Sequence, residues 1–242
     1  MQVIDSDGHL HEPFDLFERY MEKEFYSMRP RIADLRDEPR DTGRWLVEGR
    51  LVPRLPFTKG VGGGGFRYQT PRHSQMKAKD NSLDDIDGRL QDMDRMEIDF
   101  QIVYPTALVW AFDLENKELA AAVCRAYNNY IAEQCARAPN RLGGVALVPI
   151  QDPPAAAAEA RRAVQKLGLN GVVIPGMVGN TPLHAKEFIP FFETMNDLDA
   201  PVGFHAVTGM HYTPWADCFT DFFSTHVTAM PFSMMVAMMS LV

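Results

Sequence analysis

No Cys-x-x-Cys pair occurs in the sequence, and its three cysteines, Cys124, Cys135 and Cys218, lie far apart. That scarcity argues against a disulfide framework and against a thiolate zinc site, and makes Cys124 and Cys135 expected core residues. Positive charge is also short: 24 Lys and Arg against 32 Asp and Glu give a formal net charge of -8. Phosphate recognition needs a clustered basic surface, so no nucleic acid partner is expected. No apolar run reaches bilayer length. The longest, Met230 to Val242, is broken by Pro231 and Ser233 and reads as a buried helix, so no membrane is expected as partner. Between Met1 and the first strand there is no room for the charged and hydrophobic regions of a signal peptide, which points to the cytoplasm. A phosphate-binding fingerprint is missing as well. Lys59 beside the run Gly62 to Gly65 lacks the Gly-Lys-Ser/Thr ending, and a flexible lid is the better reading.

What is present fits one soluble domain over residues 1–242, 46% hydrophobic and 23% charged, large enough for a substantial core. Its organising stretch is Val3-Ile4-Asp5-Ser6-Asp7-Gly8-His9-Leu10-His11-Glu12. On a regular strand Asp5, Asp7, His9 and His11 share a face, and Asp7 and His9 can close on one metal ion at the strand end. Residues 13–83 follow as a long insertion with little periodicity, expected to be a functional or mobile loop.

From Asp84 the pattern becomes regular. Asp84-Asp85 caps a helix with apolar positions Ile86, Leu90 and Met93, and Phe100 to Tyr104 follows as a strand ended by Pro105. A helix bearing the stripe Leu119, Val123, Ala126, Tyr127, Tyr130 and Ile131 precedes the strand Val145 to Val148. Asp152 and Pro153 open the next helix, which Gly168 closes before Val172 to Ile174. A helix around Phe188 to Leu198 then leads to Val202-Gly203-Phe204-His205. Five strands joined by single helices imply parallel pairing, in a closed barrel or an open doubly wound sheet. The acids and imidazoles after strand one, in place of a glycine-rich loop, favour the barrel, whose site gathers side chains from several strand ends.

Asp7 and His9 at the end of strand one and His205 at the end of strand five are the donor types of a catalytic divalent metal. Singly, each has an ordinary structural role: a turn cap, a surface imidazole, a core histidine. Their places at equivalent strand ends favour the joint reading. His11 and Glu12 are expected beside the site, His11 as a supporting or surrogate ligand and Glu12 to orient the turn or a ligand histidine. Arg54, with Arg67 and Arg72, is a candidate clamp for a substrate carboxylate. His211 and His226 read as pocket lining or surface. Met230, Met234, Met235, Met238 and Met239 at helical spacing read as core or interface.

Four stretches in this order resemble the amidohydrolase-related family typified by aminocarboxymuconate semialdehyde decarboxylase. They are Ile4-Asp5-Ser6-Asp7-Gly8-His9 with Glu12-Pro13; Arg89 to Asp94 through Ile98-Asp99 to Tyr104-Pro105-Thr106; Arg141 to Pro149; and Pro201 to His205. The resemblance implies an α/β fold, a (β/α)₈ TIM barrel of which about five βα units are present. It implies one divalent ion, zinc or manganese, with Asp7, His9 and His205 as ligands, and the hard carboxylate of Asp7 tilts the site towards manganese or magnesium without excluding zinc. It further implies a decarboxylase of a small enolisable or aromatic carboxylic acid, acting as a homodimer, with hydrolysis of a lactone or amide as the alternative. The family's remaining catalytic histidine and aspartate, from strands six and eight, would fall beyond Val242. The terminal helix ends without a glycine, proline or cap, so a fragment of a longer chain is expected, or a non-catalytic remnant.

Overall fold

The structure, a computed structural model, describes residues 2–33, 45–52, 82–205, 227 and 230–242. Arg54, Lys59, the Gly62 to Gly65 run, Arg67, Arg72, His211, Cys218 and His226 lie outside the described residues.

Five parallel strand positions follow one another in chain order. Strand β1 (Ile4–Leu10) pairs with β5 (Phe100–Pro105), and β5 pairs with β6 (Leu142–Gly144). The chain then changes neighbours within one residue. Val145 N–H donates to the Val103 carbonyl on one side, and Ala146 N–H donates to the Gly171 carbonyl on the other. Strand β7 (Ala146–Leu147) therefore carries the third position on to β8 (Val172–Ile174), which pairs with β11 (Val202–Phe204). A doubly wound sheet reverses its order beside the first strand, whereas this array never does. The winding is that of a barrel, and no closed barrel is formed among the described residues.

The connecting helices start as their sequences dictate. Asp85 accepts a bond from Gly88 N–H at the head of α2 (Ile86–Arg95), and Asn116 one from Leu119 N–H at the head of α3 (Lys117–Ala136). Asp152 likewise caps α4 (Pro153–Gln165), with proline in its first turn, and Gly168 beyond its end takes φ +69°. Helix α5 (Ile189–Asp197) packs on α4, and α4 on α3, in the same sequential order as the strands. The expected stripe of α3 is buried throughout, from Leu119 to Ile131, together with Cys124 and Cys135.

Three expectations need correction. The described part of the insertion is not a structureless loop. It carries α1 (Leu16–Tyr20), a 3₁₀ turn at Lys23–Met28 and an antiparallel meander of β2 (Arg31–Ile32), β3 (Trp45–Val47) and β4 (Arg50–Val52). The β3–β4 turn is Glu48-Gly49 with φ of 51° and 72°, the doubly left-handed geometry that matches strand twist. Trp45 and Val47 face the core while Leu46 faces out, and Phe17 meets the Trp45 ring edge-on at 5.2 Å.

Secondly, the shared face of Asp5 and Asp7 is broken by a bulge, since Asp5 pairs with Gln101 but Gly8 with Val103. One extra residue on β1 reverses the alternation. Asp5 accepts from the Gln101 amide at 2.6 Å, and a Cβ at Gly8 would lie 2.4 Å from Gln101 Cγ, so positions 5 and 8 share one face. Asp7 and His9 take the other.

Thirdly, the terminal helix Met230–Leu241 is not buried. It rests on the β9 (Met177–Val178) and β10 (Thr181–Pro182) hairpin, with Ala237 and the Ser233 carbonyl close to Gly176, and only Ala237 and Ser240 are buried among its described side chains. Met235, Met238 and Met239 are exposed, the last by 79%. Apolar composition permits burial without ensuring a neighbour to provide it.

Candidate metal centre

The bulge in β1 and the exit of β11 create the site. Past the bulge, His9 pairs in register with Tyr104 and Leu10 with Pro105, so β1 and β5 end together. On the far side of the array, His205 N–H donates to the Ile174 carbonyl at 3.1 Å, prolonging the β11–β8 ladder by one step and holding His205 at the strand mouth. Residues 196 apart in sequence thereby meet: His9 Nε2 and His205 Nε2 are 3.2 Å apart, with ring planes at 71°. Asp7 Oδ1 lies 3.5 Å from His9 Nε2. One donor atom from each of Asp7, His9 and His205 falls within a 4.8 Å cluster.

The spacing suits a cation. Two ligand atoms bound at about 2.0–2.1 Å, at right-angled to tetrahedral openings, stand roughly 2.9–3.4 Å apart. The two imidazole nitrogens meet that condition and the carboxylate lies at its edge. Protonation is favourable too. Burial, and then the neighbouring His205, hold His9 below the ordinary imidazole value, while Asp7 pulls it back up. A neutral imidazole keeps the lone pair that a metal needs. The side chain of Asp7 is 77% exposed, so the cluster opens to solvent on its carboxylate side.

His9 is braced from behind. Its Nδ1 lies 3.2 Å from Thr106 Oγ1, and its backbone carbonyl accepts from Arg89 at 2.5 Å. Arg89 also donates to Gln101 Oε1, whose amide holds Asp5. Asp5 therefore works on the outer face of β1 and takes no part in the donor cluster. Glu12 is buried beside the exit of β5. Its carboxylate accepts from the N–H groups of Thr106, Ala107 and Leu108 at 2.9, 3.0 and 3.1 Å. Burial pushes its carboxyl above the usual range, and these amides pull it back down. His11 is half-buried and stays outside the three-residue cluster.

Sequence reasoning passed over Tyr104, Thr106 and Arg89 as site residues. Tyr104 packs beside both imidazoles, with ring centroids 6.0 Å from His9 and 6.1 Å from His205. Burial and the charge of Asp7 raise its phenol pKa, and it crosses to β11, where a Cβ on Gly203 would come within 3.1 Å of its hydroxyl. The usable signal was positional. Residues at the end of a strand parallel to β1 occupy the same level as His9.

Comparison with known proteins gives a consistent picture. The family profile described as Amidohydrolase matches residues 4–237. A gamma-resorcylate decarboxylase of Rhodococcus jostii is 37% identical over 133 residues, covering 51% of this chain and 40% of the relative. The chain thus matches less than half the length of this curated relative. Among solved structures, 5-carboxyvanillate decarboxylase of Novosphingobium aromaticivorans, with bound manganese and 3-methoxy-4-hydroxy-5-nitrobenzoic acid, superposes with a TM-score of 0.62 at 21% identity, covering 96% of this chain and 60% of that one. Dihydroxybenzoic acid decarboxylase of Polaromonas sp. JS666, with manganese and 2-nitroresorcinol, gives 0.60 at 21% identity, covering 100% and 60%. At that identity the likeness establishes the fold.

Proposed function

Because the chain belongs to the amidohydrolase family, whose profile spans residues 4–237, we propose that it serves a metal-dependent, non-oxidative decarboxylation of a small hydroxylated aromatic acid. The observation that carries this reading is the cluster of Asp7, His9 and His205 at the mouths of two strands that do not pair with each other. A carboxylate with two imidazoles and no thiolate suits manganese, the ion named with both solved decarboxylases.

A divalent cation held by Asp7, His9 and His205 would supply electrostatic chemistry: it would attract the substrate's oxygens and offset the negative charge left on the ring carbon by loss of carbon dioxide, until a proton from water takes the carboxyl group's place. The chain's own groups do the positioning. His9, neutral and braced from its Nδ1 side, presents Nε2 to the cluster. Tyr104 forms an aromatic wall against which a planar ring can lie, and its hydroxyl stays protonated because burial and Asp7 both oppose its ionisation.

The test is carbon dioxide release by the purified protein with added manganese, across a panel of dihydroxybenzoates and carboxyvanillate-type acids. Release from at least one acid is expected, and it should vanish in Asp7→Ala and His205→Ala. Silence across the panel, with opening of lactones instead, would replace decarboxylation by hydrolysis.

A further inference from the structure

We propose that Glu12 and Thr106 are positioning residues of this centre: Glu12 fixes the exit turn of β5, and Thr106, carried by that turn, receives the Nδ1–H of His9 so that Nε2 faces the cation. The proposal rests on the metal-centre reading above and deepens it.

The argument begins where the β1–β5 ladder ends. Pro105 is the last paired residue of β5, and the three N–H groups that follow it point away from any strand. All three converge on the one carboxylate of Glu12, which is 5% exposed. Buried amides demand acceptors, and an anionic acceptor binds them more strongly than a neutral one. The turn at 106–108 is therefore tied to β1 only three residues after His9, making the two strand exits one rigid unit. From that unit Thr106 Oγ1 reaches His9 Nδ1 at 3.2 Å. The hydroxyl behind the His9 ring thus belongs to the turn that Glu12 holds.

The consequence lies in the tautomer. A neutral imidazole has one N–H, and a hydrogen bond from Nδ1 leaves the lone pair on Nε2. Nε2 is the atom 3.2 Å from His205 and 3.5 Å from Asp7. A bond behind a ligand histidine fixes its ring plane and raises its basicity, and loss of such a partner typically weakens metal affinity about 10–100-fold. Glu12 touches no atom of the donor cluster, so its influence passes through the turn.

The experiment measures manganese affinity by calorimetry on metal-stripped protein, with the melting temperature of each metal-free form alongside. Thr106→Val keeps the shape and removes the hydroxyl. It is expected to bind manganese about tenfold or more weakly while melting close to wild type, and Thr106→Ser should restore the affinity. Glu12→Gln should weaken binding and also lower the melting temperature, because an amide cannot accept all three N–H bonds equally well. Undiminished affinity in Thr106→Val overturns the proposal while leaving the metal centre intact. Failure of wild type to bind manganese, or equal binding by Asp7→Ala, overturns the centre and the proposal together.

Discussion

Replacing Asn128 by leucine should be among the most damaging single changes in the described core. Asn128 is fully buried on α3, and its amide bridges both backbone groups of one residue. Its Nδ2 donates to the Leu147 carbonyl at 2.8 Å, and its Oδ1 accepts from Leu147 N–H at 2.9 Å. The reason lies in the switch between β6 and β7. On the β5 side the third strand makes its last ladder bond at Val145, so two residues later the N–H and carbonyl of Leu147 face no strand. The Asn128 amide stands in for the missing backbone. It also donates to Glu159 at 2.6 Å, but Glu159 keeps Arg162 as a partner if Asn128 is lost. Leucine keeps the branching, is somewhat larger, and leaves two buried backbone groups unsatisfied. At about 1–3 kcal/mol each the loss is roughly 2–6 kcal/mol, a large share of the 5–15 kcal/mol typical of a folded domain. For a chain of this size that corresponds to a fall in Tm on the order of 10 °C. Urea titration followed by circular dichroism measures it, with Asn129→Ala as the half-buried neighbour expected to lose under about 1 kcal/mol. If Asn128→Leu unfolds within about 1 kcal/mol of wild type, the backbone-surrogate argument is wrong.

Two further outcomes follow from packing and burial. Gly8→Ala should destabilise by about 1–3 kcal/mol in the same titration, since its Cβ would sit 2.4 Å from a Gln101 side chain that Asp5 and Arg89 both hold; simultaneous Gln101→Ala should recover part of the loss. Burial drives the Cys124 thiol well above its usual range and pushes Cys135 up to about 12, so at pH 8 roughly one Cys135 in 10,000 is ionised. Brief iodoacetamide treatment of the native protein should leave both unlabelled in peptide maps, and labelling should appear once the protein is unfolded.

Much of this architecture is written locally. Capping aspartates, the α3 stripe and the short apolar strands follow from rules that act over a few residues, and they appear where the sequence places them. The alternation of acids and imidazoles near the N-terminus likewise marks out Asp7 and His9, because side-chain types and spacing are properties of the chain itself. The Glu48-Gly49 hairpin shows the limit of that legibility. Its signal is two residues long and was hidden inside a segment read for periodicity alone.

What only the tertiary structure decides depends on neighbours far away in sequence. The pairing order selects barrel winding over a doubly wound sheet, since strand order is set by which edges meet. A bulge against β5 sends Asp5 outward and Asp7 inward, although both stand at positions of the same parity. The carboxylate of Glu12 becomes an anchor only because three amides from a turn some 95 residues away converge on it. The exposure of the terminal helix, finally, records which neighbours lie beside it, and its apolar composition alone could not say that. Sequence thus determined which groups are available for metal chemistry, and the meeting of β1, β5 and β11 determined which of them can act together.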